Sequence, residues 1–432
     1  MKKIYEKIRV LDPASDIDLT GHVVIEDGKI AALGEGPAPA PAPADDAAEQ
    51  IDGTGLVMAP GFFDLRTHFR EPGFEDAETL HTGSAAAAAG GYTDVLAMPN
   101  TRPAADTPGA MLLVRERGDR AGYARLHPAA ALTRGMEGSI MNEFGDLVDA
   151  GAVAITDDAN WVADSGLMRH AMEYSVMLGV PVISHPEDAS LSRDGFMHEG
   201  SWSTRLGLRG LPAAAEVSAV ARDIELARLT GARLHVPHVT CGASVQLIRA
   251  ARAQGVQVTA ETTPHHITFT HADCRTYDTH FKMKPPLRSD DDRLALIEAL
   301  QDGTISAIAS DHAPHTVTAK ERTFAHAPFG VIGLETAFAA SHDRLVVNGD
   351  LSLGRLIELM STAPARILGK SPATLSTGSD ADLVILDPAE SWEVSEGDLR
   401  SKGRNCPWIG RSLTGRVRST LLGGRETFNC GA

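Results

Sequence analysis

The chain has 432 residues, of which 57 are acidic and 40 basic, so its formal net charge at pH 7 is −17. A surface this negative repels phosphate backbones, which argues against nucleic acid as a partner. Four cysteines in so long a chain argue against a disulfide framework and are typical of a reducing cytoplasm. The N-terminus lacks the apolar stretch of a signal peptide, and no apolar run is long enough to span a membrane, so no membrane partner is expected.

The first segment of the chain has the pattern of short strands at residues 3–11, 22–26 and 29–33. The Asp27-Gly28 pair between the last two predicts a hairpin turn. Residues 36–49 alternate proline with alanine, a composition that cannot bury a core, so we expect an exposed, extended loop there.

From Met58 onward, short apolar runs alternate with helical stretches such as 84–89 and 167–178. This alternation predicts βα units around a parallel sheet. The eight candidate strands are 61–68, 93–98, 125–132, 153–156, 181–184, 233–237, 256–260 and 306–310. Eight such units in about 300 residues predict an α/β fold of the (β/α)8 TIM-barrel type.

Strand character returns near the C-terminus, at residues 381–386 and 415–422. We expect these strands to join the N-terminal ones in a small β-sandwich beside the barrel. The predicted domains are therefore a composite β-sandwich of residues 1–57 and 368–432 and a hydrolase barrel of residues 58–367.

Polar side chains that suit metal and substrate binding follow one predicted strand after another. They are His68, Arg70, Asn100, Asp158, His185, His238, Asp311 and His315. The C-terminal ends of barrel strands meet at one mouth, where TIM-barrel active sites are built. Imidazole and carboxylate are zinc ligands, and a zinc ion with an open position activates water. A carboxylate such as Asp311 suits either metal ligation or proton transfer.

Each of these residues also has a structural explanation when taken alone. The Asp157-Asp158 pair could cap a helix, and Asp311 could form a loop ion pair with His312. The occurrence of all these residues at one barrel mouth favours a functional role for them. We interpret His265 and His266, and His235 on its strand, as structural.

The ordered motifs along the chain resemble those of the dihydroorotase family, specifically its long bacterial type. They are PGFFD at 60–64, HFREPG at 68–73, MPNTRP at 98–103, TDD at 156–158, SHPED at 184–188, HVT at 238–240, SDHAPH at 310–315, APFG at 327–330 and GLETA at 333–337. The run GSDADLV at 378–384 resembles the closing strand of amidohydrolases. The resemblance extends over nearly the whole chain.

The resemblance implies reversible closure of N-carbamoyl-L-aspartate to L-dihydroorotate, a step of pyrimidine synthesis, with one or two zinc ions. One metal would bind to His68, Asp158 and Asp311. The other would bind to Asp158, His185 and His238. Asp158 would then bridge the two metals, at the position where hydantoinases and allantoinases usually carry a carbamylated lysine.

The same resemblance implies roles for the residues that hold the substrate. Arg70, Asn100 and His315 would bind its carboxylate, and charged hydrogen bonds from a guanidinium suit that role. Backbone groups of Pro328, Phe329 and Gly330 would contact the ring. Asp311 would be the catalytic acid and base, and a homodimer is expected by resemblance alone.

Two positions depart from the family pattern. Arg66 stands where the family has the first histidine of a His-x-His motif, and Lys284 stands where it commonly has a small polar residue. A guanidinium has no lone pair to give a metal. Arg66 shares a strand face with His68, so we expect it to pair with Asp158 or Asp311 and to replace one metal, leaving one zinc. Alternatively, Arg66 points away and packs on the barrel wall. Lys284 could contact a substrate oxygen or alter specificity.

Two functions follow from these observations. The first is an active dihydroorotase. The second is a catalytically silent subunit that scaffolds aspartate transcarbamoylase, which the change at Arg66 favours. Retention of the other matched groups at the mouth favours the active enzyme, because a scaffold has no need of them. A different cyclic-amide hydrolase is disfavoured by the carboxylate-binding set.

Overall fold

A computed structural model of the chain describes residues 2–38 and 48–431 and contains a TIM barrel and a β-sandwich. The strands are β1 (Lys2–Asp12), β2 (Ile17–Glu26), β3 (Lys29–Glu35), β4 (Glu49–Asp52), β5 (Val57–Pro60), β6 (Phe62–Thr67), β7 (Tyr92–Ala97), β8 (Arg125–Ala131), β9 (Ala154–Thr156), β10 (Val182–Ile183), β11 (Met197–His198), β12 (Gly210–Leu211), β13 (Leu234–Val236), β14 (Val258–Thr262), β15 (Ala307–Ile308), β16 (Leu383–Glu393), β17 (Ser412–Leu422) and β18 (Arg425–Asn429).

The α-helices lie mostly between the barrel strands. They are α1 (Leu80–Ala89), α2 (Pro108–Ala121), α3 (Phe144–Asp149), α4 (Ser165–Leu178), α5 (Ala189–Ser192), α6 (Ser201–Leu206), α7 (Ala213–Thr230), α8 (Gly242–Ala253), α9 (Pro264–Thr268), α10 (Asp290–Gln301), α11 (Val317–Lys320), α12 (Ala337–Ser341), α13 (Leu353–Ile357) and α14 (Ala363–Ile367). The two predicted helices correspond to α1 and α4, and both begin earlier than expected, because Thr79 and Asp164 cap their first turns.

The barrel sheet is parallel and contains all eight predicted strands, in the order β6, β7, β8, β9, β10, β13, β14 and β15. An isolated bridge joins Thr67, at the end of the first strand, to His312, four residues after the last strand. The N–H of His68 donates to the carbonyl of His312 at 2.8 Å across the same seam. This closure brings the residues that follow β6 and β15 together.

Barrel strands are buried on both faces, as in parallel sheets covered by helices. Every residue of β6 is buried. Phe62 packs with the large hydrophobic cluster that includes the helices, whereas Phe63 belongs to a separate cluster with Leu96 and Ala129 of the neighbouring strands. A polar side chain on such a strand therefore needs partners within the protein.

The second large sheet joins the two ends of the chain, as predicted. Its order is β18, β17, β16, β5, β1, β2 and β3, with β4 paired to β1. Strand β5 runs antiparallel to β16, pairing Pro60 with Leu383 and Val57 with Leu386. Strand β5 belongs to this sheet, and only Gly61 separates it from β6. The proposed domain boundary at residues 57/58 stays a prediction.

Details of the N-terminal segment follow the sequence pattern. The turn between β2 and β3 has positive φ at both Asp27 and Gly28, the geometry of a type I′ hairpin. Of the proline-rich stretch predicted as a loop at 36–49, residues 39–47 lie outside the described residues, and Glu49 already belongs to β4. Within the described ranges, no helix combines the length and the apolar character needed to cross a bilayer.

The barrel core predicts the effect of a truncation. Phe62 is fully buried, and its ring centroid lies 5.7 Å from that of Tyr92 and 5.8 Å from that of Phe338. We expect Phe62→Ala to lower the free energy of unfolding by about 3–5 kcal/mol, because a buried aromatic side chain leaves a cavity. Leu112→Ala, at a position 45% exposed, should change it by less than about 0.5 kcal/mol. Urea denaturation followed by circular dichroism measures both, and equal shifts would contradict the packing described.

Candidate active site

Six polar side chains converge where barrel strands end. Arg66 lies on β6, and the others follow β6, β9, β10, β13 and β15: His68, Asp158, His185, His238 and Asp311. All six are buried, none more than 7% exposed. The predicted convergence at the mouth is therefore present in the structure.

Three of these residues form a group suited to a metal ion, which we call the metal group. Asp158, His185 and His238 each offer a ligand atom, and the three atoms lie within 4.8 Å of one another. His185 Nδ1 lies 3.2 Å from Asp158 Oδ1 and 3.0 Å from His238 Nε2. Asp158 Oδ2 has no hydrogen-bond partner within the described part of the chain. One carboxylate and two imidazoles in this arrangement fit a divalent ion such as zinc.

Arg66 points into this group. Its Nη2 contacts Asp158 Oδ1 and lies 2.8 Å from His238 Nε2, and its Nε lies 3.2 Å from Asp311 Oδ1. The expected pairing with the carboxylates is present with both of them. The alternative, in which Arg66 packs on the barrel wall, is wrong.

The guanidinium sets the charge of its neighbours. Burial would raise the pKa of Asp158, but Arg66 and the nearby His185 and His68 hold that pKa well below its usual range. Burial and the positive charge of Arg66 both lower the pKa of His238 far below its usual value. His238 is therefore neutral and its Nε2 accepts a hydrogen bond from Arg66.

The second predicted metal position, between His68, Asp158 and Asp311, has the guanidinium of Arg66 beside it. His68 Nε2 lies 3.3 Å from Asp311 Oδ1 and 3.6 Å from Asp158 Oδ2. The guanidinium of Arg66 contacts both of these carboxylates. Because it is cationic and cannot ligate a metal, the set of His68, Asp158 and Asp311 does not fit a second ion while Arg66 stays in this place.

The residues expected to hold a carboxylate lie around this centre. Asn100 Oδ1 accepts a hydrogen bond from His68 Nδ1 at 2.9 Å. The Nε of Arg70 donates to the Pro314 carbonyl at 3.2 Å, and burial lowers the pKa of Arg70 to about 10. Burial, with the charge of Arg70, lowers the pKa of His315 to about 3, so this imidazole is neutral.

The ammonium of Lys284 forms an ion pair that the sequence did not predict. Its Nζ lies 2.7 Å from Glu187 Oε1, and Glu187 Oε2 lies 3.5 Å from His185 Nε2. Burial would raise the pKa of Glu187, but His185 and Lys284 lower it to about 2. Glu187 is thus a site residue that sequence reasoning missed, although it lies two residues after His185 in the SHPED motif. A carboxylate behind a ligand histidine orients its ring.

Of the three histidines interpreted as structural, His235 and His266 have hydrogen-bond partners outside the group of Asp158, His185 and His238, whereas His265 has none among the described residues. His235 Nε2 donates to Glu261 at 3.1 Å, and His266 Nε2 donates to the Pro285 carbonyl at 3.0 Å. His265 is fully buried next to His266. Asp157, beside Asp158, accepts a hydrogen bond from the Thr133 N–H at 2.9 Å.

Three of the nine non-glycine residues with positive φ in the described part of the chain lie at the mouth. Arg70, His238 and Asp311 have φ values of +63°, +35° and +48°. Residues other than glycine in this region cost about 1–3 kcal/mol each and persist where surrounding contacts hold them. The turns after β6, β13 and β15 therefore each contain one site residue whose conformation the surrounding contacts must hold.

A parallel eight-stranded barrel beside a β-sandwich, with imidazoles and carboxylates converging at the strand ends, defines the class of cyclic amidohydrolases. An L-hydantoinase (dihydropyrimidinase) from Arthrobacter aurescens superposes with a TM-score of 0.86 at 26% identity, over 98% of this chain and 95% of its own. A D-hydantoinase (dihydropyrimidinase) from a Thermus species, at 24% identity and a TM-score of 0.84 over 100% of this chain and 96% of its own, shares the fold.

Sequence comparison narrows the class. A dihydro-orotase-like family profile matches residues 55–244. A dihydroorotase from Anaeromyxobacter dehalogenans is 47% identical over 96% of this chain and 95% of its own length. A dihydroorotase from Syntrophotalea carbinolica is 45% identical over 99% of each. The chain belongs to the dihydroorotase family.

The ion pairs of Arg66 predict a loss of stability when the guanidinium is removed. We expect Arg66→Met to lower the free energy of unfolding by about 3–5 kcal/mol in the presence of a chelator, because two buried carboxylates lose their cation. Arg169→Met, which removes an exposed pair with Glu173, should change it by no more than about 0.5 kcal/mol. Urea denaturation in EDTA measures both, and equal stability of the two variants would refute the role of Arg66.

Proposed function

We propose that this chain is a dihydroorotase, which reversibly closes N-carbamoyl-L-aspartate to L-dihydroorotate. The observation that carries the proposal is the buried group of Asp158, His185 and His238 next to the carboxylate of Asp311. Close relatives over nearly the full length are dihydroorotases. The relatives favour the enzyme over the silent scaffold, although Arg66 departs from the family motif.

Metal binding in this proposal involves one ion per chain, held by Asp158, His185 and His238. Zinc bound there would lower the pKa of a water molecule and polarise the amide carbonyl of the substrate. His238 must offer the same Nε2 lone pair that Arg66 now takes at 2.8 Å. We therefore infer that Arg66 shifts from His238 when an ion binds and keeps its pairing with Asp311.

Asp311 is the proposed general acid and base. It accepts the proton of the attacking water and returns it to the ring nitrogen as the C–N bond breaks, and ring closure reverses these steps. Arg66 Nε at 3.2 Å and His68 Nε2 at 3.3 Å hold its Oδ1 in position.

Arg70, with Asn100 and His315, is proposed to bind the substrate carboxylate, for which the Nε2–H of His315 must leave the Phe329 carbonyl. The Nε of Arg70 donates to the Pro314 carbonyl, and the guanidinium has no carboxylate within 4.0 Å among the described residues. A partly buried guanidinium without such a partner suits an anionic ligand. Pro328, Phe329 and Gly330 are proposed to contact the ring.

Lys284 is proposed to act at the edge of this site. Its ammonium forms the ion pair with Glu187 and lies 5.6 Å from the centre of the Phe329 ring. A substrate oxygen could share that ammonium with Glu187. A homodimer, an association with aspartate transcarbamoylase and a cytoplasmic location remain predictions.

Activity tests the proposed function directly. We expect zinc-loaded protein to hydrolyse L-dihydroorotate, measured by loss of ring absorbance. Asp311→Asn should lower kcat by about 10²–10⁴-fold, because it removes the proton acceptor. Asp194→Asn, at an exposed ion pair with Arg209, should leave kcat unchanged. Absence of turnover in the zinc-loaded wild type, or full activity of Asp311→Asn, would overturn the proposal.

Zinc content tests the proposed role of Arg66. We expect elemental analysis to find one tightly bound zinc per chain in the wild type. Arg66→His should bind two, because an imidazole supplies the ligand that a guanidinium cannot. Two tightly bound zinc ions in the wild type would contradict the inference that Arg66 takes the place of one.

A further inference from the structure

Two lysines away from the metal group are buried and have no carboxylate within 4.0 Å among the described residues. Lys282 is 2% exposed and Lys320, the last residue of α11, is 4% exposed. Burial lowers the pKa of Lys282 to about 8 and, together with the charge of Lys282, that of Lys320 to about 7. A buried ammonium is costly unless strong hydrogen bonds compensate it.

Both ammonium groups bind carbonyl oxygens of one short segment, residues 325–330. Lys282 Nζ donates to the carbonyls of Ala325 at 3.0 Å and Ala327 at 2.6 Å. Lys320 Nζ donates to the carbonyls of Pro328 at 3.1 Å and Gly330 at 3.0 Å. Four carbonyls of six successive residues therefore converge on two positive charges.

The two lysines are also tied to each other and to an aromatic side chain. Lys320 Nζ lies 3.3 Å from the carbonyl of Lys282, whose own Nζ lies 4.5 Å from the centre of the Phe329 ring. The N–H of Gly330 donates to the same Lys282 carbonyl at 3.0 Å. The segment is thus fixed through its backbone and through one face of Phe329.

The opposite side of this segment borders the active-site mouth. His315 Nε2 donates to the Phe329 carbonyl at 2.7 Å. A Cβ added at Gly330 would lie 2.8 Å from the Cβ of Ala313. The segment therefore packs against the turn that follows Asp311, and Lys284 of the site reaches the Phe329 ring at 5.6 Å.

Fixing the carbonyls also fixes the peptide N–H groups. In a trans peptide, the C=O and the following N–H point in opposite directions. The Pro328 carbonyl points to Lys320, so the N–H of Phe329 is directed away from the two lysines. A donor in this place suits a carbonyl of a planar cyclic ureide.

We propose that Lys282 and Lys320 are positioning residues that hold residues 325–330 by their carbonyls, so that this segment presents a rigid backbone edge to the substrate ring. The inference rests on the proposed function for the identity of the ring. It assigns the lysines no contact with substrate and no part in proton transfer.

The test uses Lys320→Met and Lys282→Met, which keep an unbranched side chain and remove the charge. The matched control is Lys29→Met, because Lys29 donates to the Gly378 carbonyl at 3.4 Å but is exposed on the β-sandwich. Two quantities are measured on zinc-loaded full-length protein: amide hydrogen exchange of peptides across 323–331, and kcat and KM for L-dihydroorotate.

Either lysine variant should exchange amides faster across 323–331 than elsewhere in the barrel. Its KM should rise about tenfold to a hundredfold, the effect of losing charged hydrogen bonds. Its kcat should stay within about threefold of the wild type, because chemistry at the metal group is untouched. Zinc content should not change, and Lys29→Met should match the wild type in every measurement.

Unchanged exchange across 323–331, or faster exchange with an unchanged KM, would overturn the proposal. Failure of both variants to fold would also overturn it, since the lysines would then be structural. If Lys320→Met alone fails to fold, Lys282→Met decides. A wild type without turnover would refute the proposed function, whereas exchange still reports whether the lysines hold the segment.

Discussion

The active-site mouth depends on one interaction, the contact of the Arg66 guanidinium with the carboxylates of Asp158 and Asp311. Two buried carboxylates at the mouth of one barrel repel each other, and in a medium of low dielectric constant that repulsion is large. A positive charge bonded to both removes it. The guanidinium does with fixed N–H donors what a metal ion does with coordination, and it cannot dissociate from the chain.

A series of ionisable side chains extends outward from that contact. Lys284 pairs with Glu187, which faces His185, and His185 in turn faces Asp158. Within this series each ionisable group lies next to one that can compensate its charge. The arrangement also links the rim, where Lys284 is partly exposed, to the centre.

Much of this organisation was predictable from the sequence, because the apolar runs determine where strands form and which residues lie at their ends. Apolar runs gave all eight barrel strands, and strand-end positions gave Asp158, His185 and His238. The partner of Lys284 was not predictable, since no pattern relates Glu187 to a residue almost a hundred positions later. The carbonyl contacts of Lys282 and Lys320 were equally hidden, because a lysine in a sequence is expected at the surface.

The pairing of β5 with β16 has a consequence for how the chain is made. Strand β5 is separated from the first barrel strand by Gly61 alone, yet its partner β16 lies near the C-terminus. On the ribosome, β5 can pair with β1 early, but its pairing with β16 must wait until residues 383–393 have emerged. Such distant pairing slows folding, so the nascent barrel depends on its own helices to shelter its apolar strands in the meantime.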